Sequence, residues 1–392
     1  MPTSHNTPAP NVLQVIPELD TGGAERTTVD VAKAVLGAGG KALVATRGGR
    51  LQTEIEEAGG TVINIPVHSK NPVTIFLNIF RLRRIIKHEA IDVVHVRSRA
   101  PAWSALAAAR LTGTRFVTTY HGTYTAKSAL KRFYNSGMAR GDEVIANSAF
   151  IADRIRAEHA GLSPSLTVIH RGTDMSLFDP AAVTEGRKQA LRKDWSISTP
   201  DETIILLPGR LTAWKGQRVL VEAAGLLKDK GCEDFTIVLA GDAQGRDNYE
   251  KDLWDLIRSL DLATRVRMPG HCADVPAACA LATLVISAST EPEAFGRVAV
   301  EAQAMGRPII ASEHGGSLET VIVGEGAGTG WRVEPDNPEA LAQAIAEALK
   351  MSATERSEIG ARGRANAQAN FSVEAMCDST LEVYDRVLAK LH

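Results

Sequence analysis

Short β-branched runs alternate with helical patterns in two successive series along this chain, and that rhythm narrows the fold more than any other feature. The first series opens at residue 11 with NVLQVIP and continues through KALVAT, TVINIP, IDVVHV, RFVTT and EVIAN to SLTVIH. Helical periodicity fills the intervals at 24–36, 51–58, 72–88, 101–111, 126–140 and 149–158. The second series runs TIILLP, FTIVLA, RVRMPG, TLVISA, PIIAS and GWRVE, with helical patterns at 217–228, 249–260 and 297–305. Such alternation predicts the α/β class, as two Rossmann-like, doubly wound parallel sheets with helices on both faces. Between the series, residues 179–202 are polar, hold Pro180, Gly186 and Pro200, and show no apolar periodicity, so they read as a linker. The expected division is a tail over 1–10, a first domain over 11–180, a linker over 181–202 and a second domain over 203–372. The last of three consecutive helical patterns, 373–392, is expected to cross back onto the first domain. With 392 residues there is enough apolar material for two cores. In open parallel sheets ligands gather beyond the carboxyl ends of the strands, where strand order reverses. Two facing domains would share one cleft, and residues just after strands are the candidates.

Composition removes several classes of function. Lysine plus arginine number 44 against 46 aspartates and glutamates, a net charge of −2, so the molecule as a whole has no field for wrapping nucleic acid. Cys232, Cys272, Cys279 and Cys377 form no CxxC pair and suggest a reduced, cytoplasmic protein. Residues 1–10 have neither a basic region nor an apolar run, unlike a signal peptide or anchor. No stretch reaches the roughly 18 uninterrupted apolar residues of a bilayer span, so membrane contact would be peripheral.

Chemistry concentrates at strand ends. After the first strand, Gly22 and Gly23 precede a helix whose free amides could hold a phosphate or admit a sugar closely. In PGRLTAWKG, Arg210 and Lys215 supply a planar donor fork and a point charge, a pair suited to a diphosphate. The segment STEPEAFGRVAVEAQAMGRPII places Glu293 before a helix and Glu301 inside it. Glu301 could accept two hydrogen bonds from a ribose diol, while the amides of Phe295, Gly296 and Arg297 face phosphates and Glu293 reaches the sugar. His121 in YHG could bond a sugar hydroxyl or the reacting centre, and Gly241 in AGD allows close backbone approach. Gly315 and Gly316 precede a further short helix that carries Glu319. The glycine run at 324–330 precedes a strand rather than a helix, so it lacks the geometry of a nicotinamide-dinucleotide site.

Taken in order, GGAER, YHG, HRGTD, GRLTAWKG, AGD, the segment from Glu293 to Glu301 and GGSLE resemble glycosyltransferase family four, the retaining nucleotide-sugar transferases of GT-B fold, over nearly the whole chain. The resemblance implies that Arg210 and Lys215 hold the donor diphosphate, and that Glu301 holds the ribose. Glu293 and the amides after it would meet the transferred sugar and phosphate. Gly22 and Gly23 would line the phosphate side, and His121 would face the sugar from the acceptor domain. One departure is Arg171 in HRGTD, where many relatives carry asparagine; it adds a cation near acceptor or donor. No Asp-x-Asp occurs, so neither metal nor cofactor is expected, and charge on the leaving diphosphate falls to Arg210, Lys215 and helix amides. The family also implies substitution with retention, the leaving phosphate helping to deprotonate the acceptor. GDP-mannose is the first choice of donor, with UDP-linked sugars close behind. A nucleotide-sugar epimerase of related fold is the alternative.

The acceptor is approached through charge. Residues 70–140 contain 13 lysines and arginines against Glu89 and Asp92, a local charge of +11 that leaves −13 for the rest. Within this stretch TIFLNIFRLRRIIKH mixes apolar residues with Arg81, Arg83, Arg84 and Lys87 at helical spacing, which suits an anionic bilayer surface. The alternative is that Ile75, Phe76, Ile79, Phe80 and Leu82 belong to the core. Arg97 and Arg99 follow a strand and are expected to point into the cleft. A lipid-linked or lipopolysaccharide-core acceptor, phosphorylated or acidic, on the inner face of the cytoplasmic membrane would fit these features.

Overall fold

A computed structural model describes residues 9–390 except 21, 125, 127, 163, 198, 200 and 233. It divides into two compact units, one of residues 1–172 with 373–392 and one of residues 173–372.

The first unit runs β1 (Val12–Val15), α1 (Gly23–Gly37), β2 (Ala42–Thr46), α2 (Gln52–Glu57), β3 (Thr61–Asn64), α3 (Pro72–His88), β4 (Val93–Val96), α4 (Arg99–Thr112), β5 (Arg115–Tyr120), α5 (Ala129–Ser136), β6 (Glu143–Ala146), α6 (Ala149–Glu158) and β7 (Leu166–Val168). Its sheet has the order β3-β2-β1-β4-β5-β6-β7, and every pairing is parallel. The second unit runs α7 (Glu185–Asp194), β8 (Ile204–Pro208), α8 (Gln217–Asp229), β9 (Thr236–Ala240), α9 (Asp247–Ser259), β10 (Val266–Gly270), α10 (Val275–Leu281), β11 (Leu284–Ser287), α11 (Arg297–Ala304), β12 (Ile309–Ser312), α12 (Ser317–Thr320), β13 (Gly330–Val333), α13 (Pro338–Lys350) and α14 (Ala353–Asn370). Its parallel sheet is ordered β10-β9-β8-β11-β12-β13. Central strands such as β1, β4, β8 and β11 are buried along their whole length, as strands covered on both faces must be.

The last helix, α15 (Val373–Ala389), packs on α1 in the first unit. Its Val383, Tyr384 and Val387 join Val12, Ile16, Val29 and Val35 in one apolar cluster. The Tyr384 hydroxyl lies 2.6 Å from His95 Nδ1, and His95 Nε2 lies 2.7 Å from the Thr119 hydroxyl. A buried polar ring is thereby satisfied on both nitrogens, which ties α15 to β4 and β5.

The stretch expected to be a linker is instead a packed part of the second unit, and the division falls at Gly172/Thr173 rather than at 180. Thr184 caps α7, Arg187 bonds Asp274 through two nitrogens, and Phe178, Val183, Trp195 and Ile197 are core residues. The apolar residues of this segment flank the helix and α7 itself buries none, so no helical apolar period was present to read.

Two outcomes follow for stability. Replacing Tyr384 by alanine removes a fully buried ring and strips His95 of a partner, and should destabilise the first unit by about 3–5 kcal/mol in urea denaturation. Burial, with nearby arginines, pushes the imidazoles of His95 and His121 well below 6.5. The unfolded chain therefore takes up protons that the folded one refuses. Stability is complete above the unfolded-state pKa and should decline as pH falls below about 6.5, in denaturation midpoints measured from pH 8 downward over roughly two to three units.

Candidate functional site

In the second unit strand order reverses between β8 and β11, and the loops leaving these two strands carry the main charged groups. Lys215, in the loop after β8, ion-pairs with Glu293, in the loop after β11, at 2.7 Å. Ser289 donates its hydroxyl to the same carboxylate, the Glu293 carbonyl accepts from Gly316 N, and Lys215 Nζ lies 4.4 Å over the Trp214 ring. His314 Nε2 contacts the Ser289 carbonyl oxygen at 2.8 Å, so the loop after β12 joins the group. Gly216 makes this convergence possible: its φ is +73°, and a Cβ there would stand 1.8 Å from the Ala288 carbonyl oxygen.

Arg210 is exposed; its carbonyl accepts from Gln217 Nε2 at 2.9 Å, and its guanidinium reaches the Gln244 side chain at 3.4 Å. At Gly241 the close backbone approach its motif suggested is made by the chain's own loop. A Cβ there would meet the Gly209 carbonyl oxygen at 1.9 Å, so the glycine lets the loops after β8 and β9 touch backbone to backbone. Gly296 caps α11 with φ +85°, and the Phe295 ring turns into the core against Phe371. Glu301 is buried on the first turns of α11 and accepts from Arg297 Nη2 at 2.7 Å. Burial raises its pKa, and the charge and hydrogen bond of Arg297, with Lys215, oppose that rise.

In the first unit order reverses between β1 and β4. The turn after β1 is not an open cradle. A Cβ on Gly22 would fall 2.2 Å from the Glu25 carboxylate, and one on Gly23 would fall 2.3 Å from Arg171 Nη1. At both positions the obstacle is the tip of a flexible charged side chain, which can move aside, rather than backbone. Arg171 also contacts His121 Nδ1 at 3.2 Å, which brings GGAER, YHG and HRGTD together.

Arg97 corrects expectation: it is sequestered, 2 % exposed, and donates from Nε to Gln14 Oε1 at 2.7 Å. Arg99 stacks 4.4 Å over the Tyr124 ring and bonds Asn135. On α3, Leu82 is buried, but Val73 and Phe76 are 67 % and 58 % exposed, and Leu77 and Phe80 are also exposed. The core alternative therefore fails for both phenylalanines. Arg81, Arg84 and Lys87 are exposed beside them, whereas Arg83 is half-buried. Residues that sequence reasoning passed over are Ser289, His314 and Trp214 in the second unit and Gln14, Tyr120 and Asn147 in the first. Tyr120 and Asn147 adjoin strand ends already singled out, and that position was their only signal.

Known proteins agree with this architecture. The family model described as "Glycosyl transferases group 1" matches residues 188–366, and that described as "Glycosyltransferase Family 4" matches residues 21–177. A D-inositol 3-phosphate glycosyltransferase from Kineococcus radiotolerans is 33% identical over 58% of this chain and 53% of its own length. The one from Salinispora tropica is 29% identical over 64% of this chain and 52% of its own, so the chain spans about half the length of these curated relatives. The crystal structure of a glycosyltransferase from Rickettsia africae is 36% identical, with a TM-score of 0.87, covering 98% of this chain and 99% of that one. Anabaena HepE, solved with UDP and glucose, shares the fold at 24% identity and a TM-score of 0.76, covering 96% of this chain and 99% of that one. Two parallel α/β units, charged loops at both strand-order reversals and these matches make the chain a member of glycosyltransferase family 4, with the GT-B fold.

Proposed function

We propose that the chain is a retaining, metal-independent glycosyltransferase that moves a sugar from GDP-mannose or a UDP-linked donor to a lipid-linked or lipopolysaccharide-core acceptor at the inner face of the cytoplasmic membrane. The observation that carries this reading is the Lys215–Glu293 pair at the β8/β11 reversal, with exposed Arg210 beside it and Glu301 buried in α11. Without donor, Glu293 neutralises Lys215. An arriving diphosphate competes for that ammonium and leaves Glu293 free to accept from a sugar hydroxyl. Arg210 and Lys215 then offset the charge that builds on the departing diphosphate. Glu301 accepts the ribose hydroxyls. The HepE complex supports a nucleotide-sugar donor, and the inositol-phosphate transferases support an acceptor that carries a charged group.

Membrane attachment belongs to the same reading. No helix among the described residues is long and apolar enough to cross a membrane. The exposed apolar half of α3, followed by Arg84 and Lys87, has the composition of an interfacial helix, in which each cation near an anionic surface contributes about 1 kcal/mol.

Glu301→Ala should weaken donor binding by tenfold or more, about the loss of a charge-assisted hydrogen bond, in calorimetric titration with UDP and GDP; unchanged affinity would remove the ribose role. Turnover across a panel of UDP-, GDP- and ADP-sugars should persist in EDTA, and NMR of the first-formed product should show the donor's anomeric configuration. Sedimentation with phosphatidylglycerol vesicles should pull down the protein, phosphatidylcholine should not, and Phe76→Ser with Phe80→Ser should abolish the difference.

A further inference from the structure

A cavity of about 640 Å³ lies in the second unit between the loop after β8 and the start of α9. Thr212, Ala213 and Trp214 form one wall, and residues 245–249 form the other. Arg210, Lys215, Glu293, Gly296 and Glu301 do not line it, so it is separate from the groups assigned to the donor. Thr212 is 5 % exposed, and its hydroxyl has no hydrogen-bond partner. Native structures satisfy nearly all such buried groups, so an orphan in a cavity wall marks a place where a ligand completes the bonding.

The lining selects the ligand. Arg246 and Asp247 cancel in charge, and Asp247 already meets the positive end of α9 from its first turn, so neither an anion nor a cation is favoured. Trp214 and Tyr249 add aromatic surface, with Trp214 half-buried. Asp247 supplies acceptors, the exposed amide of Asn248 supplies donors and an acceptor, and the Thr212 hydroxyl supplies both. A neutral ligand that has one apolar face and a rim of hydroxyls, each both donor and acceptor, answers that set. A pyranose ring is such a ligand, and the cavity is of the size of ordinary small-molecule sites.

We infer that this cavity is a second saccharide site, which takes a neutral pyranose on Trp214 with its hydroxyls on Thr212, Asp247 and Asn248, and that its occupancy is felt at the donor loop. Two chains of contact connect them. Lys215 Nζ stands 4.4 Å over the Trp214 ring and pairs with Glu293 at 2.7 Å. Tyr249 donates its hydroxyl to Gln217 Oε1 at 3.2 Å, and the buried Gln217 donates from Nε2 to the Arg210 carbonyl at 2.9 Å. A ligand that holds Trp214 and Tyr249 therefore acts on the neighbours of both cations. The saccharide chemistry rests on the lining alone; the coupling rests on the donor role proposed above for Arg210 and Lys215.

NMR of the full chain with glucose, mannose, N-acetylglucosamine and inorganic phosphate as separate probes tests the inference. The indole signal of Trp214, assigned by its loss in Trp214→Phe, should shift with at least one of the sugars at millimolar concentration and not with phosphate. Thr212→Val and Asn248→Ala should each weaken that sugar about two- to tenfold. The melting temperature of Thr212→Val should hold or rise, because the hydroxyl it removes has no partner in the free protein. Calorimetry should show that the sugar and UDP bind together and alter each other's affinity by one common factor, about fivefold or more. An indole that answers to no sugar, or to phosphate instead, overturns the site, as does undiminished binding by both variants. Outright displacement of the sugar by UDP also overturns it, since the cavity would then belong to the donor. Independent binding of the two overturns the coupling. The indole response is read without any nucleotide, so failure of UDP to bind would strike the proposed donor site and not this one.

Discussion

Everything distinctive in this protein follows from parallel strand pairing. A parallel sheet points all its strand ends the same way, so the loops that leave those ends must cluster on one edge. A doubly wound order opens one gap in that edge where the chain reverses direction across the sheet. The chain makes this reversal twice, at β1/β4 and at β8/β11. Helices cover both faces and leave the strand-end edge as the natural place for polar side chains to collect.

The two edges treat charge differently. In the second unit the charges answer one another, Lys215 to Glu293 and Arg297 to Glu301, so the ligand-free state is electrostatically settled. In the proposed function a diphosphate would bind there by exchange, displacing one anion from a lysine. In the first unit Arg97 lies buried on a neutral glutamine, and its neighbours along the edge hold unsatisfied atoms.

How far the sequence disclosed this can be judged residue by residue. Strand and helix alternation was legible because burial on both faces writes continuous apolar runs into parallel strands. The positions of Arg210, Lys215, Glu293 and Glu301 near the ends of β8 and β11 were legible because the strands that precede them read as continuous apolar runs. The Lys215–Glu293 pair was not, since it joins positions 78 residues apart whose meeting depends on strand order. Residues 181–202 misled because α7 buries nothing while the residues beside it, Trp195 and Ile197, do. The burial of Arg97 was not legible: its place after a strand gives its position on the edge, and only the fold shows Gln14 bonding it there.

Gly23 and Arg171, far apart in the sequence, meet in the fold. The guanidinium of Arg171 lies where a Cβ on Gly23 would stand. The glycine pair at the start of α1 therefore does more than release helix amides. It gives a flat backbone surface on which a longer, charged side chain can rest while still reaching His121. A larger residue at Gly23 would push Arg171 away and break that contact. Arg171 and Gly23 are thus in steric contact, and a larger residue at the second glycine would first have to displace the tip of a flexible arginine rather than the backbone.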